Sequence, residues 1–259
     1  MSAPSLEEIQ TLLSQIPQDL PPLKPSPSVP SNVASIIDHT LLAPNALPTE
    51  IEQCCRDAIE LNAATVCVNS SMVAVAAKIL KGTNVKPICT IGFPFGAGNV
   101  QGKVEETQKA QRDGAQEIDM VQNVGLLRAG KYVEVFEEIS AIVKAAKPAT
   151  LKVIIETCYL SREEIAISTF LACRAGAAFV KTSTGYGSGG AKAEDIRLMY
   201  QIASAFDVKV KASGGIRTAE KVKEMVANGA SRIGASGTRA IVAEFKTGST
   251  SQQTVGNGY

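Results

Sequence analysis

An α/β fold, a single (β/α)8 TIM barrel with an N-terminal helical, proline-rich extension and a mobile C-terminal tail, is what this sequence predicts. Three observations carry the prediction. From residue 33 onward, short β-branched runs alternate with longer amphipathic segments, the pattern of βαβ units around a parallel sheet. Eight such runs can be counted, which favours a closed barrel over an open doubly wound sheet. Finally, 259 residues with 45% apolar content can bury one large core, close to the ~250 residues common for a single barrel.

Taken in chain order, Leu6 to Ile16 places Ile9, Leu12, Leu13 and Ile16 at helical spacing, so a short amphipathic helix is expected, packed on the barrel or on a neighbouring subunit. Pro17 to Pro30 carries six prolines, which deny the backbone donors and angles of regular structure and predict a linker or strap. Residues 1–32 thus form the extension and 33–246 the barrel. The expected strands are Ser35–Asp38, Thr65–Asn69, Lys86–Ile91, Glu117–Val121, Leu151–Thr157, Ala178–Thr182, Val208–Ala212 and Arg232–Gly234. Helical stretches lie between them, among them Pro48–Leu61, Val100–Asp113, Ser161–Ala175 and Thr218–Asn228. Ser161-Arg162-Glu163-Glu164 reads as a capping box, and Pro48 suits a first helical position. Gly114, Gly176 and Gly229 follow helices where a left-handed cap is cheapest. Residues 247–259 are polar, glycine- and serine-rich, and predict disorder.

Composition removes several function classes. With 26 basic and 25 acidic side chains, nothing suggests a nucleic-acid groove or an anionic membrane surface. No apolar stretch approaches the roughly 18 residues of a membrane span, and the first residues lack a secretory pattern, so a cytoplasmic location is expected. The six cysteines, Cys54, Cys55, Cys67, Cys89, Cys158 and Cys173, form no Cys-x-x-Cys pair and are expected as reduced thiols. His39 is the one histidine, whereas catalytic zinc usually draws on two or three; neither metal nor cofactor is expected. No Gly-x-Ser-x-Gly elbow accompanies it to suggest a serine hydrolase.

Reactive groups in such a barrel sit at the C-terminal ends of strands and project into the mouth. Asp119 falls on the fourth strand, Lys181 on the sixth and Lys211 on the seventh. Alternation puts Phe179 with Lys181, and Lys209 with Lys211, on the interior face, and neighbouring strands lie about 4.8 Å apart. Two ammonium groups brought that close disfavour each other's protonation, and burial adds to the effect. Only a neutral amine attacks a carbonyl. Lowering a lysine pKa from about 10.4 to about 7 raises the free amine by roughly three orders of magnitude, about 4.6 kcal/mol of activation. Lys181 and Lys211 are therefore the expected hardware of imine chemistry, and Asp119 a carboxylate able to move protons through water. The bland alternative is that each lysine simply reaches solvent past the rim.

The loops add an anion site. Ser213-Gly214-Gly215-Ile216-Arg217 follows the seventh strand and Gly234-Ala235-Ser236-Gly237-Thr238 the eighth, the positions where barrels often bind phosphate. Thr182 to Gly190, with Thr184 and Gly185, follows Lys181 and can complete the rim.

These residues resemble the deoxyribose-phosphate aldolase family from about Ile36 to Ala240. The resemblance lies in Ile37-Asp38-His39-Thr40-Leu41-Leu42, Thr65-Val66-Cys67-Val68, Glu117-Ile118-Asp119-Met120-Val121, Leu151-Lys152-Val153-Ile154-Ile155-Glu156-Thr157, Lys181-Thr182-Ser183-Thr184-Gly185 and Lys211-Ala212-Ser213-Gly214-Gly215-Ile216-Arg217. It implies a class I aldolase in which Lys181 forms a Schiff base with C1 of 2-deoxy-D-ribose 5-phosphate. Cleavage of C2–C3 then releases glyceraldehyde 3-phosphate and, after hydrolysis of an enamine, acetaldehyde. It also implies Lys211 as the perturbing neighbour and Asp119 in the proton relay.

Other positions carry weaker expectations. Asp38 and Thr40 either contact sugar hydroxyls or fix neighbouring polar groups. Cys67 either lines the pocket or is an inert buried thiol. Gly214, Gly215, Ser236 and Gly237, with Thr184 and Gly185, are the expected substrate-binding set. His39 has outward parity and reads as structural. Tyr186 stands where some members of the family carry a lysine, which leaves the phosphate to backbone N–H groups. Similar enzymes end in a tail whose terminal tyrosine enters the pocket, so Tyr259 is a candidate proton relay. Lys209, of interior parity, is expected to pair with Glu117 or Glu156. The partners implied are small phosphosugars and aldehydes, neither nucleic acid nor membrane, and the N-terminal arm makes a homodimer a candidate assembly. The residues alone leave open another phosphosugar barrel enzyme, an isomerase or transaldolase, and a non-catalytic phosphosugar-binding barrel.

Overall fold

The structure, a computed structural model, describes residues 2–248, and its eight parallel strands close into a barrel in sequence order. The wall consists of β1 (Ile37–Leu41), β2 (Thr65–Asn69), β3 (Lys86–Ile91), β4 (Glu117–Val121), β5 (Thr150–Ile154), β6 (Phe179–Lys181), β7 (Lys209–Ser213) and β8 (Ala230–Ala235). Helix α1 (Leu6–Gln15) precedes it. Around the outside run α2 (Pro48–Leu61), α3 (Val73–Leu80), α4 (Val100–Arg112), α5 (Val124–Arg128), α6 (Tyr132–Ala146), α7 (Arg162–Ala175), α8 (Ala193–Ala203), α9 (Ala219–Ala227) and α10 (Thr238–Thr247).

Local chemistry sets the element ends. The capping box at Ser161 and Glu164 forms, and Gly176 closes α7 in the left-handed region at φ 91°. Pro48 occupies the first turn of α2, where its missing N–H is harmless. Strand ends differ from the sequence-based expectation at β1, β5, β6, β7 and β8, by one residue at each end of β6 and β7 and by more elsewhere. β1 starts at Ile37 and runs on to Leu41, because Val33–Ile36 winds into a 3-10 turn whose Ser35 N–H and hydroxyl both donate to the Asn32 carbonyl. β5 stops at Ile154, because Glu156 turns left-handed at φ 57°. β8 begins two residues early, at Ala230.

The main core lies between wall and helices, not inside the barrel. Outward strand residues such as Val66, Ile118, Val153, Val180 and Ile233 pack on helix residues such as Ile51, Ile139, Leu171, Met199 and Ile241. Strands buried on both faces explain the near-continuous apolar runs. The N-terminal extension belongs to the same body: α1 packs on α7 through buried Ile9, and Arg174 bonds Glu8 at 2.6 Å. Arg162 and Arg197 hold the proline-rich strap by its Pro17 and Leu20 carbonyls.

One ion pair on the wall is fully buried. Lys103 of α4 donates to the Gly96 and Val121 carbonyls at 2.6 and 2.8 Å and to Glu138 of α6 at 2.7 Å. Glu138 also accepts the Asn123 N–H at 2.9 Å, so the pair ties the loop after β3 to the end of β4. Gly92, at φ 63°, leaves room for the lysine stem, since a Cβ there would meet its Cε at 2.8 Å. Removing one member of a buried pair strands the other. Lys103→Ala should therefore lose about 3–5 kcal/mol in urea unfolding; a loss below about 1 kcal/mol would mean that the pair contributes little beyond packing.

Candidate functional site

Most barrel interiors are filled by branched apolar side chains. Here the middle of the barrel is ionic. Six strands send charged side chains inward: Asp38 from β1, Glu117 and Asp119 from β4, Lys152 from β5, Lys181 from β6, Lys211 from β7 and Arg232 from β8. Two backbone features make this arrangement fit. A bulge between β7 and β8 pairs Val210 with Ala230 but Lys211 with Arg232, so Arg232 turns inward beside Lys211. Gly234 then leaves space above it, because a Cβ there would stand 3.3 Å from the Lys211 Cε and 2.9 Å from the Ser213 Cβ.

Asp119 is the meeting point. Its Oδ2 accepts from Lys181 Nζ at 2.9 Å and from Lys211 Nζ at 2.7 Å, while its Oδ1 accepts from Lys152 Nζ at 2.8 Å. Lys211 also bonds Asp38 Oδ2, and Lys152 bonds Glu117 Oε2 at 2.6 Å. Arg232 Nη1 donates to Asp38 Oδ1 at 2.6 Å and to Glu117 Oε2 at 2.9 Å. Thr65 adds a hydroxyl to Asp38 Oδ1 at 2.8 Å.

The three lysines are electrostatically unlike. Burial lowers the Lys181 pKa, Asp119 opposes that drop and Lys211 reinforces it; the net direction is down. Burial acts on Lys211 too, but Asp119 and Asp38 outweigh it and its pKa rises. Lys152 likewise ends above the ordinary lysine value, held by Asp119, Asp38 and Glu117 against burial and the Lys211 charge. For Asp119, burial pushes upward and the three lysines overwhelm it, so the carboxylate lies well below its usual range. The arrangement thus holds one amine predisposed to lose its proton, beside two fixed ammonium groups and a fixed carboxylate.

Above this layer lies the mouth. Leu42, Cys67 and Ile88, with Phe93, form a small apolar cluster inside the barrel, separate from the main core. Cys67 is fully buried and its thiol is pushed up to about 11 by burial, so it lines the wall as an un-ionised group. Thr40 donates its hydroxyl to the Asp38 carbonyl at 2.8 Å. Both Asp38 carboxylate oxygens are engaged by Lys211, Arg232 and Thr65, which makes it a holder of cations. His39 faces outward, its Nδ1 2.8 Å from the Thr238 hydroxyl at the start of α10. Tyr186 donates to the Leu42 carbonyl at 2.9 Å and sets its ring edge-on to Phe93 at 5.4 Å, closing one side of the mouth.

The glycine-rich loops meet at the same end. Gly185, Gly214 and Gly215 all have positive φ, at 89°, 86° and 74°. Gly190 presses on the β7 loop so closely that a Cβ would stand 2.3 Å from the Gly214 carbonyl oxygen. Thr184, above Lys181, gives its N–H and hydroxyl to Glu156. Ser183 Oγ is buried beside Gly214 with no hydrogen-bond partner among the described residues. Ser236 and Gly237 form the turn that leads into α10, an N-terminus facing the same rim. A cleft of 790 Å³ between α4 and α6 lies among the outer helices and is lined by none of the interior charges.

The structure therefore brings Lys181, Lys211 and Asp119 into direct contact, with Asp38, Thr40 and Cys67 on the adjoining wall. Lys209 departs from expectation. It bonds neither Glu117 nor Glu156 but is exposed at the opposite rim, 5.8 Å from the Phe179 ring centroid. Glu117 is instead taken by Lys152 and Arg232, and Glu156 by Thr184. Tyr259 lies outside the described residues. Sequence alone points to no role for Lys152 and Arg232. Lys152 had a signal, a lone charge inside the apolar run Leu151 to Ile155; Arg232 depends on the bulge, which sequence does not reveal.

Comparison with known proteins follows the same outline. The DeoC/LacD family aldolase profile matches residues 33–246. A relative named deoxyribose-phosphate aldolase from Thermoanaerobacter sp. (strain X514) is 50% identical over 83% of this chain and 97% of its own length. A crystal structure from Coccidioides immitis, provisionally given that name, superposes with a TM-score of 0.91 at 41% identity, over 95% of this chain and all of that one. A deoxyribose-phosphate aldolase from Aeropyrum pernix, described as a tetramer, gives a TM-score of 0.79 at 29% identity over 94% and 99% of the two chains.

The unequal lysines can be read directly. On reductive methylation with formaldehyde near neutral pH, Lys181 should react well before Lys152 and Lys211, and its rate should climb with pH as the amine loses its proton. Peptide mapping that found all three buried lysines modified at one rate would contradict the assignment.

Proposed function

The chain belongs to the DeoC/LacD aldolase family, and we propose that it is a deoxyribose-phosphate aldolase working through a Schiff base on Lys181. It is an aldolase, a carbon–carbon lyase. The observation that carries the reading is the shared Asp119 Oδ2, with Lys181 at 2.9 Å and Lys211 at 2.7 Å, all buried inside the barrel.

The reaction begins with the open-chain aldehyde of 2-deoxy-D-ribose 5-phosphate. The Lys181 lone pair attacks C1 to give a carbinolamine, and loss of water gives an iminium ion. Removal of the C3 hydroxyl proton then lets the C2–C3 electron pair flow into the iminium. Glyceraldehyde 3-phosphate leaves, and the enamine that remains is protonated at C2 and hydrolysed to acetaldehyde. Positive charge returns to the Lys181 nitrogen when the iminium forms, and Asp119 already stands where that charge develops. A carboxylate held so far below its usual range is a poor terminal base. Asp119 therefore acts by orienting and relaying through water, and Lys211 stays charged throughout.

The far end of the substrate is assigned to the glycine loops. Gly214, Gly215, Ser236 and Gly237, with Thr184 and Gly185 across the mouth, form the phosphate cradle in this reading, and the Ser183 hydroxyl, which has no partner among the described residues, supports it. With Tyr186 bonded to Leu42 rather than supplying a cation, backbone N–H groups hold the phosphate. Deoxyribose phosphate breakdown in the cytoplasm is the proposed setting. No helix among the described residues is long and apolar enough to cross a membrane. Self-association is likewise a proposal: the Aeropyrum pernix enzyme is described as tetrameric, but the N-terminal helix that suggested a homodimer packs on this chain's own barrel.

Two experiments test the reading. Borohydride in the presence of acetaldehyde should fix a two-carbon adduct on Lys181, and Lys181→Leu should abolish cleavage while a phosphate ligand still binds; an adduct mapped to a different lysine overturns the mechanism. Gly190→Ala, which drives a methyl group into the Gly214 carbonyl, should raise KM for the phosphorylated sugar at least about tenfold, the effect of roughly 1.4 kcal/mol. An unchanged KM would remove the loops from phosphate binding.

A further inference from the structure

We propose that Glu117 and Arg232, on the floor of the barrel and remote from the mouth, are positioning residues that close a neutral ring of six charges and so leave Lys181, among the described residues, as the one interior cation with no counter-ion of its own. The inference rests on the Schiff-base reading of Lys181 and assigns residues that contact neither Lys181 nor the mouth.

The contacts form a closed circuit. Asp38 bonds Arg232, Arg232 bonds Glu117, Glu117 bonds Lys152, Lys152 bonds Asp119, Asp119 bonds Lys211, and Lys211 returns to Asp38. Sign alternates at every step, and three carboxylates meet three cations. Lys152 also braces the circuit from within, 3.9 Å from Asp38. Lys181 attaches at one point only, the Asp119 oxygen that Lys211 already occupies.

Charge balance then decides which lysine gives up its proton. With the ring intact, a protonated Lys181 adds a surplus positive charge to a buried site, and a neutral Lys181 leaves the interior balanced. Deprotonating Lys152 or Lys211 instead would break two contacts of the ring. Among the described residues, the other groups facing Lys181 agree with this count. Cys67 on β2 is un-ionised, and Ile88 and Thr90 on β3 carry no charge. Lys86, 3.6 Å from Glu117, has a half-exposed side chain and is solvated from below, as is Lys209.

The role is separable from scaffolding because the two floor residues have opposite signs. Losing the Arg232 charge leaves the ring at net minus one, which favours a proton on Lys181. Losing the Glu117 charge does the reverse. In the pH dependence of kcat/KM for deoxyribose 5-phosphate cleavage, Arg232→Met should therefore move the acid limb to higher pH by about one unit, and Glu117→Gln should move it to lower pH. The double variant, again neutral, should return to within a few tenths of a unit of the wild type, and Arg232→Lys should not shift it. The rate of borohydride trapping with acetaldehyde on Lys181 should follow the same order.

Limbs that do not move, or that move the same way in both single variants while the adduct still maps to Lys181, overturn the ring. Should Arg232→Met fail to fold, Glu117→Gln against Arg232→Lys decides the matter, since the first removes a charge from the ring and the second does not. Absence of any Lys181 adduct in the wild-type enzyme is a different result: it removes the Schiff-base reading, and the ring with it.

Discussion

One carboxylate, Asp119, organises the interior of this barrel. Three ammonium groups converge on its two oxygens in a space with no measurable exposure of the carboxylate itself. Burying a charge without partners costs far more than any single contact recovers. The remaining charges therefore have to be present once Asp119 is: its lysines need Asp38 and Glu117, and those in turn need Arg232. A closed barrel is a suitable solution to that demand, because it brings side chains from strands distant in sequence to one point at fixed spacing. Asp38 and Lys211 are 173 residues apart and in direct contact.

The same network explains how two chemically identical side chains on adjacent strands acquire different proton affinities. Lys181 and Lys211 are paired in register and share an oxygen, so proximity alone does not distinguish them. The distinction comes from the second contact. Lys211 has Asp38, and its charge is secured from both sides; Lys181 has the apolar and un-ionised wall of the mouth, where burial dominates. A nucleophile needs the lower proton affinity and a perturbing neighbour needs the fixed charge, and each residue has the environment that the role proposed for it requires.

How much of this could be read from the sequence follows from what alternation does and does not specify. Period-two patterning gives the side of the wall that a residue faces, so the sequence alone places Lys181, Lys211 and Asp119 inward together and His39 outward. It does not give depth. Lys209 has the parity of Lys211, but it lies two residues nearer the floor, with Phe179 below Lys181, and meets solvent instead of Glu117. Nor does alternation survive a bulge: the extra residue Ser231 re-aims Arg232, and no local propensity marks it. Strand ends erred where tertiary contacts override the local pattern, as at Glu156, whose left-handed turn is held by Thr184.

A barrel centre built this way carries a stability penalty relative to an apolar one, because buried ion networks rarely outperform well-packed hydrophobic side chains of similar volume. The fold offsets this elsewhere. Its apolar contacts are concentrated in the layer between strands and helices, where Val66, Ile118, Ile139, Val153 and Met199 are fully buried. The separation has a mechanical consequence. Helix packing can vary without disturbing the charges, because the wall transmits only strand register, and register is fixed by an entire ladder of backbone hydrogen bonds. Substitutions on the outer helices should thus alter stability and leave the proton affinity of Lys181 in place, whereas a change of a single charge inside the wall alters both.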